Sequence, residues 1–147
     1  MPLRLAMLGM WHTHAEGIVR QAAAHPREFS LVGFYDPDKN VAAEKRRRWQ
    51  PLVKDLTIFD TPQRLLKEQL DGVVIEGRIV DNLRYARLAL ESGRSILLEK
   101  PAGVNLKEYQ ALVELAQKSH LYMQMIYLFR YMPVMQQLMQ RARKQEL

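Results

Sequence analysis

Cysteine is absent from this chain. That excludes disulfides and thiolate metal sites, and it fits a reducing compartment. No apolar run approaches the roughly 18 residues that a membrane-spanning helix needs. The opening Met1-Pro2-Leu3-Arg4-Leu5 leads straight into a strand pattern, so no signal peptide is read and the chain is expected to be cytoplasmic. Glycine is sparse, seven in 147 residues, and there is no internal repeat, low-complexity segment or linker.

What is present is enough for one packed domain. Hydrophobic residues make up 48% of the chain, which rules out a disordered polymer. The formal net charge is +6, densest at Lys45-Arg46-Arg47-Arg48 and again at Arg141, Arg143 and Lys144. No nucleic-acid motif accompanies these runs, which read as solvated helix faces. Neither nucleic acid nor a membrane is expected as a partner.

Short apolar runs alternate with helical periodicity. Strands are predicted at Leu3–Gly9, Phe29–Tyr35, Leu56–Phe59, Val73–Ile75, Ser95–Leu98 and Leu121–Leu128. Helices are predicted at Thr13–Ala24, Lys39–Trp49, Thr61–Gln69, Asp81–Ser92, Asn105–Lys118 and Met132–Arg143. Their signals are local: Pro26 bars continuation of the first, Thr61 and Asn105 are N-caps, and Gly93 is a C-terminal cap. Leu83, Ala86, Ala89 and Leu90 share one helical face. Such alternation predicts an α/β fold, doubly wound, with a mostly parallel six-stranded sheet covered by helices on both faces.

In open α/β sheets ligands bind beyond the carboxyl ends of the strands. The strand at Ser95 delivers Glu99-Lys100-Pro101 to that edge, which makes Lys100 the leading candidate for chemistry. The first strand ends in Gly9-Met10-Trp11-His12-Thr13-His14. A dinucleotide fingerprint would put glycine at the first, third and sixth of these positions, and only Gly9 is present. Asp36 ends the second strand, where an acid can hydrogen-bond a ribose; the alternative is a turn aspartate before proline. His12 and His14 alternate so that both rings fall on one side, as in some metal sites. A third ligand is needed, and the nearest candidate is Glu16; for want of a clear ligand set, no metal is assigned.

Ala89 to Pro101, ending in Glu-Lys-Pro, resembles the N-terminal domain of the Gfo/Idh/MocA oxidoreductases. Asp71-Gly72-Val73-Val74-Ile75 is similar to that family's fourth strand, and Arg130-Tyr131-Met132-Pro133 to the segment leading out of its sixth. The resemblance implies a Rossmann domain over residues 1–128 and a connecting helix over 129–147 that leads toward a substrate domain beyond this chain. It implies an NAD(P)-dependent oxidoreductase of the sugar or polyol dehydrogenase type, and Asp36 favours NAD over NADP. Lys100 would be catalytic, beside the nicotinamide and the reacting hydroxyl, and the family often carries the following proline bond cis. Cofactor contacts are implied at Gly9, Met10, Trp11, His12, Asp36, Glu76, Glu99, Lys100 and Pro101. Gly77, Arg78 and Asn82 depart from the family's usual residues after the fourth strand. Trp11, in place of the second glycine, keeps open the alternative of a non-catalytic nucleotide-binding or interaction protein. A small-molecule substrate is expected only with the second domain supplied. The methionine-rich, apolar segment from Met123 to Met139 points to self-association or a partner.

Overall fold

The computed structural model describes residues 1–53 and 56–146. Five strands form one sheet, β1 (Leu3–Leu8), β2 (Phe29–Tyr35), β3 (Gly72–Ile75), β4 (Ser95–Glu99) and β5 (Met123–Ile126). They lie in the order β2-β1-β3-β4-β5, and every pairing is parallel. Parallel neighbours need crossovers, and helices supply them. These are α1 (His14–Ala24), α2 (Lys39–Trp49), the single turn α3 (Pro62–Leu65), α4 (Ile79–Glu91) and α5 (Leu106–Lys118). After β5 a 3₁₀ turn (Leu128–Tyr131) leads into α6 (Pro133–Arg143).

The strand period of two divides the core. Ala6, Leu8, Val73, Ile75, Ile96 and Leu98 face one side, packed with Leu65, Ala86, Leu90 and Leu112 of the helices there. Met7, Val74, Phe34 and Ile126 face the other, against Val19, Ala42 and Trp49. Each fully buried leucine stabilises the fold by about 1.5–3 kcal/mol. Ala6–Leu8 of β1 and Val73–Ile75 of β3 are covered on both faces, which is why they read as continuous apolar runs.

The sheet has five strands among the described residues, one fewer than the sequence pattern predicts. Leu56–Phe59 makes only an isolated parallel bridge, Ile58 to Phe34. Phe34 N–H donates to Thr57 O (2.9 Å) and Phe59 N–H to Phe34 O (2.8 Å), and the chain then turns at Asp60. Two bonds are too few for a strand. The last strand also stops at Ile126 instead of Leu128, because the chain tightens into the 3₁₀ turn. The helix expected over Thr61–Gln69 closes after one turn, although Thr61 caps it as expected, its Oγ1 accepting from Arg64 N–H. Other local signals operate as read: Asn105 Oδ1 accepts from Glu108 N–H, and Gly93 takes φ +73° at the end of α4. No helix among the described residues is long and apolar enough to cross a membrane.

The order of the strands creates a switch point. From β1 the chain moves outward to β2, then returns to the other side of β1 as β3. The loops after β1 and β3 therefore diverge to opposite faces and leave a crevice between their starts. Gly9 follows β1 at φ +83°, and a Cβ there would lie 2.8 Å from the Glu76 carbonyl carbon and closer still to Gly77. Gly9→Ala is accordingly expected to cost about 2–5 kcal/mol, combining left-handed strain with overpacking. Gly17→Ala, in an exposed turn of α1 with nothing near its added carbon, is expected to stabilise by about 0.5–1 kcal/mol. Urea unfolding of the two variants measures both; equal effects would contradict the close approach.

Candidate active site

Two bonds shape the turn after β1. Met10 N–H donates to Asp36 Oδ2 at 2.7 Å, and His12 N–H donates to Glu76 O at 3.0 Å. The first ties the turn to the end of β2, the second to the end of β3. Asp36 is buried, and its other oxygen accepts from Asp38 N–H at 2.9 Å. Burial raises its pKa above the usual carboxylate value, against the lowering effect of those two backbone donors. Asp38 in turn caps α2, accepting from Asn40 N–H at 2.9 Å. The acid–proline–acid turn after β2 thus holds one loop and starts one helix.

The turn presents His12 and His14 to a pair of buried carboxyl groups. Glu76 follows β3 and Glu99 ends β4; their side chains are 0% and 1% exposed. His14 Nδ1 stands 2.9 Å from Glu99 Oε2, and His12 Nδ1 lies 3.8 Å from the same oxygen and 3.4 Å from Glu76 Oε2. The imidazole rings meet edge to face with centroids 4.6 Å apart. Glu99 Oε1 accepts from Lys100 N–H at 2.9 Å and lies 3.6 Å from Lys100 Nζ. Lys100 itself is 43% exposed, at the mouth of the cluster, and the Lys100–Pro101 peptide is cis.

Burial, reinforced by the neighbouring Glu99 carboxylate, pushes Glu76 up to about 9, so it holds its proton at neutral pH. His12 is held below the ordinary histidine value, chiefly by burial, with His14 and Lys100 adding to the effect and Glu99 opposing it. His12 is therefore a neutral imidazole near pH 7. The edge of the sheet thus collects a neutral ring, a second histidine, a carboxyl–carboxylate pair and an ammonium within one cluster.

The residues singled out in the sequence fall into place unevenly. Gly9, His12, Glu76, Glu99 and Lys100 come together at the carboxyl ends of β1, β3 and β4. Met10 is fully buried, so only its backbone faces the turn. Trp11 is 47% exposed, directed outward instead of filling the crevice. Asp36 sits apart, on the wall of a cavity of about 570 Å³ shared with Tyr35, Lys39, Arg46 and Phe59. Pro101 is exposed beside the lysine. Glu16, the nearest candidate for a third metal ligand in the sequence, is turned away. It pairs with Arg20 (2.7 Å) and Arg48 (2.6 Å), whereas Glu99 lies against both histidines. Of the three departures after β3, Gly77 and Asn82 are buried, and Arg78 reaches back to Asp38 Oδ2 at 3.7 Å.

A family model described as an oxidoreductase family with an NAD-binding Rossmann fold matches residues 3–127. The chain belongs to this family, Gfo/Idh/MocA, as its NAD-binding Rossmann domain. No curated protein matches it. Among solved structures it is similar to UDP-N-acetylglucosamine 3-dehydrogenase from Acidithiobacillus ferrooxidans, with 26% identity and a TM-score of 0.80 over 95% of this chain. Two others share the fold: the WlbA dehydrogenase from Bordetella pertussis in complex with NADH and UDP-GlcNAcA, and scyllo-inositol dehydrogenase from Lactobacillus casei with bound NAD(H) and scyllo-inositol. The first has a TM-score of 0.85 at 14% identity over 98% of this chain, the second 0.82 at 14% over 99%. The chain spans about 42% of the length of each of these three proteins.

The tie between Asp36 and the first turn has a measurable consequence without any ligand. Asp36→Ala leaves the Met10 and Asp38 amides without their acceptor. The expected loss is about 1–3 kcal/mol in urea unfolding of the ligand-free chain. Unchanged stability would mean that the turn is held elsewhere.

Proposed function

We propose that this chain supplies the dinucleotide-binding site and the proton-handling lysine of an NAD-dependent dehydrogenase that acts on a hydroxyl group of a sugar or polyol. The observation that carries this reading is the placement of Lys100 beside a buried carboxylate, at the carboxyl end of β4 and next to the switch point. The residues present fit the cofactor. Gly9 keeps the first turn tight, Trp11 stands outside it, and the cavity beside Asp36 has room for a nucleoside. Gly9 to His12 would cradle the pyrophosphate, Asp36 the adenosine ribose, and Glu76, Glu99, Lys100 and Pro101 the nicotinamide end. When bound, the dinucleotide supplies the hydride chemistry.

The chain's own part is electrostatic. The Lys100 ammonium can donate a hydrogen bond to an oxygen on which negative charge develops, and share in its proton transfer. Glu99 holds that side chain from behind and offsets its charge. Lys100 is open on its outer side, so the wall that orients a substrate and excludes water is supplied by further residues. The sugar nucleotide and inositol named for the structural relatives suggest the substrate class.

Asp36 favours NAD through its bond to the ribose and its repulsion of a 2′-phosphate. Lys39 and Arg46 on the same cavity wall favour the phosphate and give NADP a competing claim. Calorimetric titration of the purified chain with each dinucleotide decides between them. Tighter binding of NAD is expected, with Asp36→Ala narrowing the difference. Equal or tighter NADP binding would overturn the preference, and no binding of either would favour a non-catalytic scaffold.

The segment after β5 bears on assembly. Phe129, Tyr131, Met132, Val134, Leu138 and Met139 are all exposed, and α6 has no buried residue. Exposed apolar side chains gathered in one segment mark an interaction surface. Self-association of this chain through it is expected, read as a mass above the monomer by light scattering and lost in a Phe129→Ser, Leu138→Ser variant. A monodisperse monomer at high concentration would contradict it.

A further inference from the structure

We propose that His12, His14 and Glu99 form a binding site for a divalent transition-metal ion, with the Glu76 carboxyl group directly behind it. One donor atom from each of the three lies within 4.8 Å of the other two. Metal–nitrogen and metal–oxygen bonds of about 2.0–2.2 Å place tetrahedral ligand atoms about 3.4 Å apart. The separations from Glu99 Oε2, 2.9 Å to His14 and 3.8 Å to His12, bracket that spacing. Side-chain rotations alone close the set, because all three donors are on the ends of side chains and the backbones that carry them are fixed. His12 Nδ1 also accepts from His14 N–H at 3.2 Å, a bond that an ion at this nitrogen displaces.

Glu76 is a second and independent observation. Its side chain is fully buried; neither oxygen meets a donor among the described residues, and the Glu99 carboxylate is the neighbour toward which its proton turns. Oε2 nevertheless points at His12, 3.4 Å from Nδ1. A buried polar group left without a partner costs about 1–3 kcal/mol, and native structures keep few of them. Here two acidic side chains lie buried together, with Lys100 Nζ at the rim 3.6 Å from Glu99 Oε1. A dication among the four side chains would offset the charge of Glu99 and give the Glu76 oxygens a partner.

The donor set selects the ion. Two imidazoles and one carboxylate suit zinc, cobalt, nickel, manganese or iron, whereas calcium and magnesium prefer all-oxygen sites. Three protein ligands leave a coordination position open. Lys100 stands beside the cluster, so an oxygen of a bound molecule at that position would meet an ammonium and a metal together. The sequence shows the pair of histidines but not the third ligand, because Glu99 is 85 residues from His14.

The test uses the untagged full chain, stripped with a chelator and titrated with Co²⁺ while visible absorption is read. One equivalent of Co²⁺ is expected to give d–d bands, bleached by Zn²⁺, and Zn²⁺ to give calorimetric heat at the same stoichiometry. His14→Ala and Glu99→Gln should each weaken binding by more than the roughly 10–100-fold expected of Glu76→Gln, the group behind the site. His25→Ala, on the far end of α1, should leave it unchanged. His14 is partly exposed, so its variant is expected to keep the fold, and Glu99→Gln tests the same site with little change of shape. Absence of bands and heat up to about 1 mM ion, a limit of roughly 4 kcal/mol of binding, would overturn the proposal. So would binding that survives both ligand variants. No dinucleotide is present in these measurements, so their outcome is separate from the outcome of the cofactor titrations.

Discussion

The contact on which the site depends is the close approach of the chain at Gly9 to the chain at Glu76 and Gly77. Only a residue without a side chain, in the left-handed conformation, lets the turn after β1 lie against the turn after β3. That approach brings His12 N–H onto Glu76 O, and the Asp36 carboxylate fixes the other side of the same turn through Met10 N–H. Once the turn is fixed, His12 and His14 have little freedom about where they lie. Both are set over the carboxyl ends of β3 and β4, where Glu76, Glu99 and Lys100 arrive independently. A short stretch of backbone geometry thus assembles side chains from three strands.

Electrostatics then sets the character of the cluster. Water would solvate these acids easily, but Glu76 and Glu99 are shielded from it almost completely. Burial keeps Glu76 protonated and His12 neutral, while Glu99 stays paired with the Lys100 ammonium and the His14 ring. A site of this kind holds charge that ordinary surface groups would screen. It is arranged to receive something polar or charged.

Much of the fold is legible in the sequence because its determinants are local. The run Val73-Val74-Ile75 between turn residues, the apolar face of α4, the glycine that ends it and the Asn105 cap each act within a few residues. The Leu56–Phe59 run misleads because its composition suits a strand while its neighbours give it only one bridge. The site is legible one residue at a time, as Gly9, Asp36 and Lys100 show, but its assembly is not. Nothing in the spacing joins His14 to Glu99, or shows that Glu16 is drawn off by Arg20 and Arg48. The depth of Glu76, which decides its protonation, follows from packing on both sides of β3 and not from its place after an apolar run.

On the proposed reading, the dinucleotide lies in the crevice at the switch point, from the Gly9 turn to the end of β4. The most direct measurement is an amide-resolved NMR titration of the ¹⁵N-labelled chain with NAD. Shifts are expected to concentrate at Gly9 to His14, at Asp36 and Asp38, and at Gly77, Glu99 and Lys100, with α5 and the far ends of the strands undisturbed. Shifts confined to α6, with the Gly9 turn silent, would contradict it.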